Sequence, residues 1–144
     1  MRITRVYRFA ASHRLHAASL TCDRNAELYG KCNNPYGHGH DYTLHVSVTG
    51  EPGAHTGRVI DVGALDHYVQ EQLLRLYDHS DLNTDVPDFA GVPTTENLAV
   101  DSDKRLRDAW PFAHALLDRV LIQETDRNKI EFRNTDPKEV AQRQ

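Results

Sequence analysis

Hydrophobic and polar residues alternate along the first third of the chain. Between residues 41 and 49, four apolar side chains share one face of an extended segment and four polar side chains share the other. This period of two is typical of a half-buried strand in an antiparallel sheet. Residues 3–14 are rich in β-forming side chains and predict a neighbouring strand, and residues 58–60 are a candidate extension of the same sheet.

A helical period begins after Asp61, whose carboxylate is a candidate N-cap. The apolar residues that follow are spaced by three and four, which predicts the buried stripe of an amphipathic helix. These residues are Leu65, Val69, Leu73 and Leu76. Residues 77–93 contain prolines, a glycine, an asparagine and several aspartates and predict a long loop, which in compact domains is usually functional or disordered.

A second helix is predicted to start at Thr94 or Thr95, either of which can cap it, and to end near Ala109. Glu96 lies close to the predicted N-terminal end, where the helix dipole stabilises a carboxylate. The middle of this helix, residues 101–103, has the sequence Asp-Ser-Asp and is unexpectedly polar.

The last third predicts two strands, residues 116–124 and 129–133, around a turn at residues 126–128. The order of elements indicates an α+β fold, with two helices on one face of a four-stranded antiparallel sheet. Residues 1–134 form the predicted domain, and residues 135–144 form a polar C-terminal tail. Because an open sheet has two unpaired edges, we expect an oligomer formed by extension of the sheet.

Composition narrows the function further. A chain of 144 residues has the length of one domain. A net charge of −4 argues against nucleic acid as a partner, and no apolar run is long enough to span a membrane. Arginines interrupt the N-terminal stretch, which argues against a secretory signal, and two cysteines favour the reducing cytoplasm over a disulfide scaffold.

Nine histidines are an unusually large number for this length. In the GHGH motif at residues 37–40, His38 and His40 are two apart, so both imidazoles point to the same face of a strand. A His-x-His pair alone is as often part of a glycine-rich turn with surface histidines as it is part of a metal site. A catalytic zinc site also needs a third protein ligand. His13 is a candidate third ligand. Its competitors are His16, His45, His55, His67 and His114.

Both cysteines and two carboxylates need separate interpretation. Cys32 lies in a polar loop, where a nearby cation favours the thiolate, and it is a candidate base, nucleophile or fourth zinc ligand. Cys22 is predicted to be a small buried hydrophobe.

Asp78 can orient the imidazole of His79, although a loop-capping aspartate beside a solvated histidine is the favoured interpretation. Glu124 shares a strand face with apolar residues, which predicts an internal arginine partner in preference to a ligand.

Five segments, in this order, resemble the 6-pyruvoyltetrahydropterin synthase family. They have the sequences FAASHRL at 9–15, YGKCNNPYGHGHDY at 29–42, DHSDLN at 78–83, PTTENLA at 93–99 and ETD at 124–126. The resemblance covers about residues 6–133, and the CNNPxGHGHxY stretch is highly specific. The chain departs from the family at residues 101–103, which are usually more apolar or aromatic, and Tyr36 fills the variable position before GHGH.

The resemblance implies the tunnelling fold (T-fold), in which subunits close into a barrel as a trimer that is usually doubled to a hexamer. It implies a lyase that eliminates triphosphate from 7,8-dihydroneopterin triphosphate and forms 6-pyruvoyltetrahydropterin. The implied ligands of one zinc ion per subunit are His13, His38 and His40. The other implied site residues are Cys32 as general base, Asp78 and His79 as its proton relay, Glu124 as the holder of the pterin ring, and Thr94, Thr95 and Glu96 as the lining of that pocket.

Two other functions stay open at this point. A 6-carboxytetrahydropterin synthase takes the same substrate towards queuosine, and a non-catalytic zinc-stabilised barrel binds pterins without turnover. An additional requirement for magnesium is also open.

Overall fold

The computed structural model describes residues 1–134, and the predicted tail at residues 135–144 lies outside them. Within the described residues, one five-stranded sheet has the order β3-β1-β2-β4-β5. The strands are β1 (Arg2–His13), β2 (His38–Thr49), β3 (Ser80–Asp81), β4 (Leu116–Thr125) and β5 (Asn128–Phe132). The α+β class is confirmed, and the other four strands pair antiparallel as predicted. The predicted count of four is wrong because the two-residue β3 adds a parallel edge to β1.

The helical segments are α1 (Cys22–Tyr29), α2 (Val62–Val69), α3 (Arg75–Tyr77) and α4 (Thr95–Asp108). A π-helical turn at Gln70–Leu74 joins α2 to α3, so one continuous helical segment follows the predicted apolar stripe. Both predicted caps are confirmed. Asp61 accepts a hydrogen bond from the Ala64 backbone N–H, and Thr94 accepts one from the Asn97 backbone N–H.

Two local predictions are wrong, and one helix was missed. Residues 58–60 form no strand, and residues 59 and 60 form a bend. Helix α1 was not predicted, because it is a short polar helix whose single buried residue is Asn25 and therefore has no apolar period. Cys22 is exposed at the first position of α1, so it is not the buried hydrophobe that the sequence suggests.

The core lies between one face of the sheet and the helices. Its fully buried members from β2 and β4 include Leu44, Val46, Val120 and Ile122, and those from the helices include Leu65, Val69, Leu98 and Leu106. The same face of the sheet continues to His13, which is also buried. Within residues 1–134, no helix is both long and apolar enough to cross a bilayer.

The polar residues in the middle of α4 are buried, and each of them makes hydrogen bonds. Asp101 accepts hydrogen bonds from the Tyr77 hydroxyl at 2.6 Å and from Arg105 Nε at 2.7 Å. Ser102 donates to the Leu98 carbonyl at 2.7 Å. Buried polar groups in folded proteins almost always have such partners. Asp101 and Asp103 therefore face the interior, where Asp101 accepts from Tyr77 and Arg105 and Asp103 accepts from Arg107.

Candidate active site

Two adjacent strands bring three histidines together at the end of the sheet. In the antiparallel register of β1 and β2, His13 lies opposite His38, and Ala11 lies opposite His40. Residues directly opposite each other share a face, and so do residues two apart along a strand. The three imidazoles therefore project to the same side, at the edge of the apolar core.

The Nε2 atoms of these histidines face one another. The Nε2 atom of His38 lies 3.3 Å from that of His13 and 2.9 Å from that of His40. One ligating atom from each of the three rings lies within 4.8 Å of the others, which is the spacing of a metal site. Within residues 1–134, no other histidine joins this cluster. The five competing histidines are thus separate from it.

The orientation of His13 is fixed by the backbone at the end of the long loop. Its Nδ1 atom lies 2.8 Å from the carbonyl oxygen of Pro93, and because a carbonyl only accepts, Nδ1 carries the proton. The Nε2 lone pair then faces the other two rings. Burial lowers the pKa of His13 and of His40. Both rings are therefore held as neutral imidazoles, the form that binds a metal.

Glu124 reaches the same cluster from β4. Its Oε1 atom lies 3.8 Å from the Nε2 atom of His13 and 3.7 Å from that of His40. Its Oε2 atom accepts a hydrogen bond from Asn128 Nδ2 at 2.9 Å. Burial acts to raise the pKa of Glu124, but hydrogen bonds from Asn128 and Thr95 and the electrostatic influence of the His40 and His13 imidazoles together lower it. Amide and hydroxyl donors occupy the place of the predicted arginine, so the prediction of an arginine partner is wrong.

Cys32 lies close enough to Glu124 for the charge of that carboxylate to affect its thiol. It lies on a 3₁₀ turn, Gly30–Asn33, between α1 and β2, and its side chain is half-buried. Burial raises the pKa of the Cys32 thiol, and the negative charge of Glu124 raises it further. The thiol is therefore within electrostatic reach of the carboxylate that touches the histidines, and it is protonated unless positive charge is added nearby.

Asp78 and His79 lie at the other edge of β1. The Asp78 carboxylate accepts the Ala10 backbone N–H at 2.9 Å, and its second oxygen lies 3.2 Å from His79 Nδ1. The His79 side chain is 83% exposed. This is the arrangement of a loop-capping aspartate beside a solvated histidine, but a cavity of about 440 Å³ is lined by both His79 and His40. His79 therefore lines the same cavity as His40, one member of the histidine cluster.

The first turn of α4 borders Glu124. Thr95 is buried and donates its hydroxyl to the Glu124 carboxylate, whereas Thr94 serves as the N-cap and Glu96 is exposed. Sequence reasoning missed Pro93 and Asn128. Pro93 acts through its backbone carbonyl, which has no sequence signal, and Asn128 is recognisable only once the turn brings it back beside Glu124.

The fold and the site together define an α+β protein whose sheet carries three histidines spaced for a metal, beside a carboxylate and a thiol. Residues 2–135 match the model of the family described as 6-pyruvoyl tetrahydropterin synthase. The chain belongs to that family. It is an enzyme of the lyase class with the T-fold, as the sequence predicts.

The relatives that it resembles cover nearly the same length. The chain is 45% identical over 132 residues to the 6-pyruvoyl tetrahydrobiopterin synthase of Poecilia reticulata, covering 91% of this chain and 88% of the relative. It is 41% identical to that of Homo sapiens, covering 91% and 90%. The solved structure of the Caenorhabditis elegans 6-pyruvoyl tetrahydropterin synthase superposes with a TM-score of 0.88 at 34% identity, over 94% of this chain and 96% of that one.

Proposed function

We propose that this enzyme is a zinc-dependent lyase that converts 7,8-dihydroneopterin triphosphate into 6-pyruvoyltetrahydropterin with elimination of triphosphate. The observation that carries the proposal is the convergence of the His13, His38 and His40 Nε2 atoms beside Glu124, in a chain of this family. Related proteins named as synthases of this product match over most of the chain.

The three histidines are the proposed zinc ligands. Neutral imidazole nitrogen is an ordinary zinc ligand, and three protein ligands leave one position open for substrate. The hydrogen bond from His13 Nδ1 to Pro93 is the kind of outer contact that orients a ligating histidine. A bound zinc supplies Lewis acidity to the side-chain hydroxyls of the substrate, which makes the neighbouring C–H bond more acidic.

Cys32 is the proposed general base. Its thiolate removes a proton from the substrate side chain, and triphosphate then leaves with the electron pair of its C–O bond. Because burial and Glu124 raise the pKa of this thiol, the base requires compensating positive charge in the loaded site. His79 is the proposed acceptor of the proton from Cys32, and Asp78 holds the tautomer of His79.

Glu124 is the proposed anchor of the pterin ring. An ionised carboxylate accepts two parallel hydrogen bonds from an aminopyrimidine edge, as it does from a guanidinium. Asn128 and Thr95 keep this carboxylate ionised and oriented. We propose Thr94 and Glu96 as further lining of the pocket, because they flank Thr95 in the first turn of α4.

We further propose a cytoplasmic homo-oligomer, a trimer or a hexamer. Within the described residues, the two edges of the sheet are β3 and β5. An unpaired sheet edge presents free backbone N–H and C=O groups that a strand of a neighbouring subunit can pair with. Light scattering measures the mass directly, and a monomer contradicts this part of the proposal.

The decisive experiment combines product identification with metal analysis. The enzyme is incubated with 7,8-dihydroneopterin triphosphate, and mass spectrometry identifies the pterin. We expect the pyruvoyl product and triphosphate; a carboxyl product with acetaldehyde identifies a 6-carboxytetrahydropterin synthase instead. Cys32→Ala is expected to lose turnover and keep its zinc, whereas the matched control Cys22→Ala keeps both. Full turnover by Cys32→Ala contradicts the assigned base, and absence of any product supports a non-catalytic barrel.

A further inference from the structure

The segment that carries Cys32 is bonded to the chain just after His13. The backbone N–H of Leu15 donates to the Cys32 carbonyl at 2.8 Å. The Nε atom of Arg14 donates to the Asn33 carbonyl at 3.2 Å. Two successive carbonyls of the thiol-bearing turn are therefore held by the two residues that follow the end of β1.

The side chain of Asn33 completes this junction. Its Nδ2 atom donates to the Leu15 carbonyl at 2.7 Å and lies 3.1 Å from Nδ1 of His16, which accepts its second hydrogen. The backbone N–H of Leu15 is thus hydrogen-bonded to the Cys32 carbonyl, and the Leu15 carbonyl is hydrogen-bonded to the side chain of Asn33. Among the described residues, this is the only side-chain hydrogen bond between the Cys32 turn and Leu15.

The far end of the same loop approaches His13 closely. Gly37 has a φ of +69°, and a Cβ atom added there would lie 2.9 Å from the His13 carbonyl oxygen. The loop from Cys32 to Gly37 is therefore hydrogen-bonded to Leu15 at one end and packed against the His13 backbone at the other. The position of the thiol relative to the imidazoles depends on these two junctions.

A second asparagine ties the same segment to the Asp78–His79 loop. Asn83 accepts the Arg14 backbone N–H at 2.7 Å and donates to the Arg14 carbonyl at 2.9 Å. Arg14 and Leu15, which we call the hub, are therefore hydrogen-bonded both to the turn that carries Cys32 and to the loop that follows His79. Asn33 is the hydrogen-bonding partner of the hub that is adjacent in sequence to Cys32.

We propose that Asn33 is a positioning residue. The hydrogen bond from its side-chain amide to the Leu15 carbonyl sets the distance between the Cys32 thiol and the three-histidine cluster. The inference rests on the proposed role of Cys32 as base. A misplacement of about 1 Å costs an enzyme about 100-fold in rate, because the reacting atoms must be held in a near-attack geometry. Loss of this amide therefore acts on turnover more than on substrate binding.

The test is Asn33→Asp, which keeps the shape of the side chain and replaces the donor facing the Leu15 carbonyl with an oxygen. The zinc-loaded enzyme is assayed for kcat, KM, zinc content and the rate of Cys32 alkylation by iodoacetamide, in a Cys22→Ala background. We expect kcat to fall at least about tenfold, with KM and zinc content changed less than about twofold. Alkylation is measured in the uncharged Asn33→Ala variant, because the carboxylate of Asn33→Asp would itself raise the pKa of the neighbouring thiol. In Asn33→Ala it is expected to accelerate because the half-buried thiol becomes more accessible.

Asn25→Asp is the matched control. Asn25 is buried and also bonds backbone groups with its amide, donating to the carbonyls of Ala17, Leu20 and Thr21, but it lies in α1 outside the site. It is expected to lower stability and to leave kcat and Cys32 alkylation unchanged. If Asn33→Asp does not fold, kcat and KM are also taken from Asn33→Ala.

The outcomes separate the two proposals. Unchanged kcat and unchanged alkylation in the Asn33 variants, with Cys32→Ala inactive, overturn the positioning role and leave the proposed function standing. Full activity of Cys32→Ala overturns the role of the thiol itself. A loss of kcat that follows loss of zinc in proportion also overturns the inference, because the residue then supports the metal ligands.

Discussion

The Nδ1 atom of His13 and the carbonyl oxygen of Pro93 lie 2.8 Å apart, and this bond determines which nitrogen of the imidazole is available. The two residues are 80 positions apart in the chain. The bond therefore couples the end of β1 to the residue before the N-cap of α4. A metal held by His13 depends on the packing of the whole loop that ends at Pro93.

His13→Ala is expected to abolish stoichiometric zinc binding and keep the fold. The change removes one of three ligands, so the loss of affinity exceeds the ~10–100-fold that follows loss of an outer partner. Zinc per subunit is measured by elemental analysis after dialysis, with circular dichroism as the check on folding. His55→Ala, at an exposed position outside the cluster, is the control and keeps its zinc. Unchanged zinc content in a folded His13→Ala protein rejects this ligand.

The metal-free protein is expected to lose stability as the pH falls below about 6.5. Burial lowers the pKa of His13 and His40 in the folded protein from the ordinary value of 6.5, so below that pH the unfolded chain binds protons that the folded protein does not. The stabilisation is complete above pH 6.5 and is lost on acidification towards the lowered folded pKa values. Urea unfolding of chelator-treated protein measures this dependence. His13→Gln should reduce the slope, and a flat profile for the unsubstituted protein contradicts the prediction.

Gly37→Ala is expected to weaken zinc binding and to destabilise the fold by more than about 2 kcal/mol. A non-glycine residue in the left-handed region costs about 1–2 kcal/mol, and here the new Cβ also meets the His13 carbonyl oxygen at 2.9 Å. Gly57→Ala is the matched control, because Gly57 has a similar φ of +65° and nothing within 4 Å of the added Cβ. Equal losses in the two variants, measured by urea unfolding and zinc titration, mean that the contact with His13 is unimportant.

Local patterns predicted the elements that carry the histidines. His38 and His40 could be placed on one face from the alternation of β2 alone, and Asp61 and Thr94 could be identified as caps from their residue types. The pairing of His13 with His38 depends on strand register, which a short sequence pattern does not specify. Only the family resemblance selected His13 from its competitors.

The partners of the site residues were beyond the reach of sequence patterns. The bond of His13 to Pro93 uses a backbone carbonyl. A register shift between Gln123 and Thr125 alters the ladder at Glu124, where Asn128 approaches across the turn. An arginine was expected beside Glu124 because a buried carboxylate needs its charge balanced. Neutral amide and hydroxyl donors also stabilise a carboxylate, so an arginine is not required.

Asp101→Ala is expected to lower the free energy of unfolding by about 3–5 kcal/mol, although Asp101 lies outside the site. The substitution leaves the buried Tyr77 hydroxyl and the Arg105 guanidinium without the carboxylate that both donate to. Removing one partner of a buried ion pair costs this much because the remaining charge stays desolvated. Urea unfolding followed by circular dichroism measures the change.

Lys104→Ala provides the comparison on the same helix. Lys104 and Asp108 form an ion pair with the same spacing of four residues, at 3.0 Å, but their side chains are 71% and 62% exposed. Exposed pairs of this kind contribute about 0.3–0.5 kcal/mol. The two substitutions compare a buried and an exposed ion pair on the same helix with the same spacing, and Asp101→Ala additionally removes the acceptor of the Tyr77 hydroxyl. Comparable losses would show that the interior position of Asp101 adds nothing, and that the polar middle of α4 is tolerated without needing its partners.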